Sequence, residues 1–105
     1  MIWLIRFSGV DARNLYNTEN AVVTIISLKP GQSLKRHITP GDVAFYVLKR
    51  EGIVEIGEEK EYIQAETLVE SPKDIPHAWY NESKADLVFM VIKAPKPKKK
   101  TIFVS

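Results

Sequence analysis

The sequence predicts an all-β fold, an antiparallel small β-barrel or jelly roll, and three observations lead to it. Short runs of β-branched and aromatic residues recur along the chain, corners containing Pro or Gly separate them at near-regular spacing, and no apolar stripe of period 3.6 persists through a whole helix. At most, residues 10–20 could hold a helical turn. A length of 105 residues predicts a single domain, because a chain of this size buries one modest core.

Taken in order, the first element is an apolar strand from Ile2 to Phe7. Ala21 to Leu28 is a β-branched run that stops at Lys29-Pro30-Gly31-Gln32, where Pro followed by Gly suits the central positions of a type II turn. A short extended piece passes through His37 to Thr39-Pro40-Gly41-Asp42, which repeats that turn chemistry. Val43 to Leu48 and Gly52 to Ile56 are rich in β-formers, and Gly57-Glu58-Glu59 breaks the second of them. Glu61 to Gln64 and Thr67 to Glu70 read as short strands, and Ser71-Pro72-Lys73-Asp74 as a type I turn. Pro76 leads into His77 to Asn81, and Leu87 to Ile92 is the last strong run. A basic Lys/Pro linker over 93–100 and a C-terminal strand over 101–105 complete the chain.

Composition narrows the function classes. With 45% hydrophobic and 27% charged residues the chain reads as an ordinary globular protein, and its apolar runs are too short to span a bilayer. The N-terminus lacks a basic region ahead of a hydrophobic stretch, so the expected location is cytoplasmic. There is no cysteine, which excludes disulfides, thiolate metal sites and cysteine nucleophiles. Absent Cys, few Met and abundant Lys, Glu and Ile fit a chain adapted to high temperature. Much of the positive charge sits between Lys93 and Lys100 without Arg or aromatic residues, so nucleic acid is not the expected partner.

Two segments resemble the motifs of the cupin superfamily, whose fold is the double-stranded β-helix. Residues 31–50 follow the first motif: Gly31 and His37 match, while the second family histidine falls on Thr39, the metal-binding glutamate on Val43 and the closing glycine on Arg50. Residues 66–81 follow the second: Pro72, His77 and Asn81 match, and two glycines have become Glu66 and Asp74. The resemblance covers residues 20–92 and implies a barrel with a central pocket. His37 and His77 fall at two of the four family metal-ligand positions, which implies Mn, Fe, Ni, Cu or Zn as the class of cofactor.

Strand period places His37 and Thr39 on one face, and Trp79 and Asn81 on the face of His77. The predicted pocket is therefore His37, Thr39, Val43, Phe45, His77, Trp79 and Asn81, with Phe45 and Trp79 also candidates for plain core. A hydroxyl and an isopropyl group replace two metal ligands, leaving a half-site where catalytic centres generally use three protein ligands. Asp42 beside Val43 would reach the site only through a bulge. The preferred expectation is a small-molecule-binding or accessory protein with a degraded metal site. The alternative is a cupin enzyme, an isomerase or dioxygenase using His37 and His77 completed by another ligand, or a metal-free one with a histidine base. The apolar terminal strands lie outside the matched region, and an exposed apolar strand is a liability unless it is paired, which leads to an expected homodimer.

Overall fold

Alternation of apolar and polar side chains decides which face each strand buries, and the strands assemble accordingly into two antiparallel sheets. The computed structural model describes residues 3–7, 10–99 and 101–104. Ile2, Lys100 and Ser105, at the ends of predicted segments, lie outside the described residues. In chain order the strands are β1 (Trp3–Phe7), β2 (Val10–Asn17), β3 (Val22–Leu28), β4 (Ser33–Ile38), β5 (Val43–Lys49) and β6 (Gly52–Ile56). They continue with β7 (Glu59–Ile63), β8 (Leu68–Ser71), β9 (His77–Tyr80), β10 (Leu87–Lys93) and β11 (Ile102–Phe103). One sheet has the order β1-β2-β3-β10-β5-β8 and the other β11-β4-β9-β6-β7, a jelly-roll arrangement. Among the described residues no helix is long and apolar enough to cross a membrane.

The inner faces meet in an aromatic centre. Trp79 of β9 stacks on Phe89 of β10 with ring centroids 4.6 Å apart, and Phe45 of β5 meets Trp79 edge-on at 5.4 Å. Ile26, Leu28, Val47, Val54 and Leu87 pack around them. Burial of these large side chains supplies the main favourable term, about 1.5–3 kcal/mol each.

The structure departs from expectation at three places. Residues 10–17 form a strand, not a helical turn: Val10 and Ala12 are buried while Asp11 and Arg13 alternate with them, and β2 pairs with both β1 and β3. Thr39 to Asp42 does not repeat the turn at Lys29 to Gln32. That first turn has Gly31 at φ 85° and is closed by Gln32 N–H donating to the Lys29 carbonyl at 2.9 Å, whereas Gly41 is not left-handed. The Asp42 carboxylate instead accepts from Lys73 N–H at 2.9 Å, and the Thr39 carbonyl from Asp74 N–H at 3.1 Å, so the loop is held to its neighbour rather than to itself. The predicted turn at Ser71 to Asp74 is shifted by one residue. Ser71 ends β8, and Ile75 N–H donates to the Pro72 carbonyl at 3.3 Å with Asp74 at φ 65°.

Asp74 belongs to a set. The three non-glycine residues with left-handed backbone are Arg50 (φ 68°), Glu66 (φ 64°) and Asp74 (φ 65°), among the described residues. All three stand where the motif resemblance expects glycine, so the backbone keeps a conformation that the side chains disfavour. This agreement fixes the register of both motifs.

Candidate functional site

β4 brings His37 to the interior by an irregularity. Leu34 and His37 are both buried although an odd spacing separates them, because the register of β4 against β9 shifts between the two residues. His37 is then directly opposite His77 in the ladder. The Nε2 atoms of the two rings are 3.0 Å apart and the planes lie at 79°.

The surrounding partners settle the protonation pattern. His37 Nδ1 is 2.6 Å from the Lys35 carbonyl, which only accepts, so Nδ1 of His37 carries a proton. In a neutral His37 ring Nε2 is then an acceptor, and His77 donates its Nε2–H to it. His77 Nδ1 is left as an acceptor for the Ser71 hydroxyl, 2.7 Å away. The result is a one-way chain, Ser71 to His77 to His37 to the Lys35 carbonyl. Thr39 Oγ1 lies 3.4 Å from His77 Nε2 at its flank.

Electrostatics keep both rings neutral. Burial lowers the His77 pKa to about 3, with further contributions from His37 and the Lys93 charge. Burial also lowers that of His37, partly opposed by its bond to the Lys35 carbonyl, and Lys93 lowers it again.

Next to His37 is a cavity of about 170 Å³ between the sheets. Val22, Ile26, Leu34, Phe45, Val91 and Phe103 form apolar walls, while Asn14, Thr24, Thr101 and Lys93 supply polar atoms. The Phe103 ring of β11 stands 5.6 Å from the His37 ring, so the C-terminal strand closes one side.

The structure divides the predicted site residues. His37, Thr39, His77 and Phe45 come together, with the Phe45 ring 5.1 Å from that of His77. Only His37 and Phe45 of the predicted set line the cavity. Val43 is buried in the core, opposite Ser71 and Lys93 in its two ladders. Trp79 belongs to the aromatic centre, where its indole N–H is buried without a partner among the described residues. Asn81 is buried as well, but its side chain holds a loop: Nδ2 donates to the Leu28 and Ala85 carbonyls, both at 2.8 Å, and Oδ1 accepts from Ser83.

Ser71 and Lys93 are the residues that sequence reasoning missed. Ser71 precedes Pro72 and reads as a turn, so no local signal marks it. Lys93 reads as the start of a basic linker, yet β10 extends through it, and it continues the inward positions Phe89 and Val91. That alternation was a signal available in the sequence.

The donor set does not fit the family's metal centre. Two imidazole nitrogens that share a proton do not both offer lone pairs, Thr39 offers a hydroxyl, and Val43 offers nothing. Asp42 is turned away toward Lys73 N–H. Among the described residues no group of three His, Cys, Asp or Glu could hold an ion.

Comparison with known proteins agrees with the fold. Residues 24–93 match the cupin domain family. The protein TT1209 from Thermus thermophilus is similar in structure, with 28% identity, a TM-score of 0.76 and coverage of 91% of this chain and 85% of that one. A cupin-2 domain from Rhodospirillum rubrum has 14% identity and a TM-score of 0.87, covering 99% of this chain and 76% of its own. The polyketide cyclase RemF from Streptomyces resistomycificus has 17% identity and a TM-score of 0.82, covering 99% and 80% respectively. At those last two identities the likeness speaks for the fold alone. No curated protein matches the chain by sequence.

Proposed function

The chain belongs to the cupin family, and on that premise we propose that it is a small-molecule-binding protein in which a hydrogen-bonded histidine pair replaces the family's metal. The observation that carries this reading is the 3.0 Å Nε2–Nε2 contact. For both rings to face a cation, the His77 proton would have to move to Nδ1 and the Ser71 hydroxyl reverse, and the site would still have only two imidazoles. The pair acts instead as a rigid, uncharged floor at one side of the cavity. Apolar walls with a few polar atoms are what a small organic ligand needs. A volume of about 170 Å³ is close to that of a cavity of about 150 Å³ that accepts benzene, so the ligand is small.

The test is metal content of protein purified without a chelating tag, then titration with Mn, Fe, Ni, Cu and Zn, alongside a thermal-shift screen of small organic ligands. The expected result is no stoichiometric metal and stabilisation by a subset of the ligands. Stoichiometric metal that disappears in His37→Ala or His77→Ala would overturn the proposal in favour of a metal-dependent enzyme. Thr39→His with Val43→Glu, which restores the family's ligand types at matching positions, is expected to create metal affinity where the native chain has none.

A further inference from the structure

Lys93 is the only charged side chain lining the cavity among the described residues, and no carboxylate lines it. Its neighbours across the two ladders are Val22 on β3 and Val43 on β5, both aliphatic. On the cavity's other side β4 presents His37, which burial holds neutral against the opposing pull of its bond to the Lys35 carbonyl. An amine in such a wall has lost part of its hydration without gaining an opposite charge, a state that costs free energy until a partner arrives. Burial accordingly lowers the Lys93 pKa.

Resting on the reading of the cavity as a ligand seat, we infer that it takes a small organic anion, a monocarboxylate with a compact apolar body, whose carboxylate pairs with the Lys93 ammonium. The size of the cavity limits the body to about that of one benzene ring. Apolar residues make up most of the lining, so the ligand buries hydrocarbon against Ile26, Leu34 and Phe103 and presents one charged end to Lys93. Thr24 and Thr101 add hydroxyls to the wall, enough polar atoms for a carboxylate. A doubly charged phosphate would demand more donors than this lining holds, and a cation would meet the field of Lys93.

Benzoate, benzyl alcohol and benzylamine are matched probes of size and differ in charge. Calorimetric titration of the full chain at neutral pH is expected to show benzoate binding about tenfold or more tighter than benzyl alcohol, with benzylamine weakest. In Lys93→Met the preference for benzoate is lost and the affinity for the alcohol is kept. Lys93→Gln replaces it if the Met variant does not fold, and the three-probe comparison on the native chain needs no variant. Equal binding of benzoate and benzyl alcohol overturns the anion inference and leaves the cavity reading standing. Benzoate selectivity that survives loss of the amine also overturns it, since the anion is then held elsewhere. Failure of all three probes overturns the inference together with the cavity reading.

Discussion

At the scale of the residue, the histidine pair makes the protein sensitive to acid. Folded His77 stays neutral down to about pH 3, whereas the unfolded side chain takes up a proton near its ordinary value of 6.5. Between those values the unfolded state binds the extra proton, so stability is full above about 6.5 and declines as the pH falls toward 3. His37, also lowered, acts in the same direction. Melting temperature followed from neutral pH down to about 4 is expected to fall more steeply in the native chain than in His77→Gln, which is less stable at neutral pH but cannot charge. Parallel curves for the two proteins would show that the pair does not carry the acid sensitivity. Both histidines were legible in the sequence as motif positions. Their mutual hydrogen bond, and the role of Ser71 in it, were not, because nothing near Ser71 in the chain refers to a ring six residues on and a strand away.

At the scale of the element, local rules and tertiary demands mostly agree, and the exceptions are informative. The runs at 22–28, 43–49, 52–56 and 87–93 were legible because β-branched alternation and Pro/Gly corners act over a few residues. β2 is less apolar and takes its conformation from pairing on both edges. The irregularity in β4 was invisible, since it answers to the need to turn His37 inward and not to any local preference. Glu66 adopts at a cost a turn that glycine makes freely, and it does so beside a backbone bond to the Val47 carbonyl at 2.7 Å. Glu66→Gly removes a strain of about 1–2 kcal/mol and adds an unfolded-state entropy cost of about 0.4–1 kcal/mol. The variant is therefore expected to be more stable by up to about 1.5 kcal/mol in urea denaturation, with unchanged slope. A lower midpoint would show that Glu66 makes a compensating contact.

At the scale of the whole molecule, the cavity is assembled from segments far apart in the chain: β2, β3, β4, β5, β10 and the stretch around β11. Several of its walls, including Asn14, Thr101 and Phe103, lie outside the family-matched residues 24–93. The proposed assembly is a homodimer. Tyr62 on β7, Leu68 on β8, and Ile102 and Phe103 on β11 are exposed, and all three strands end a sheet. Light scattering at micromolar concentration is expected to give twice the chain mass of 12.0 kDa, and a monomer would refute the assembly. The sequence by itself determined most strands, the corner at Lys29 to Gln32, the cupin resemblance and the two histidine positions, because each is written in residues close together along the chain. Only the tertiary structure decided that His37 and His77, 40 residues apart, share a proton, that Asn81 serves a loop, and that Lys93 enters a cavity instead of beginning a linker. These depend on which strands pair and in what register, a property of the closed sheets and not of any one segment.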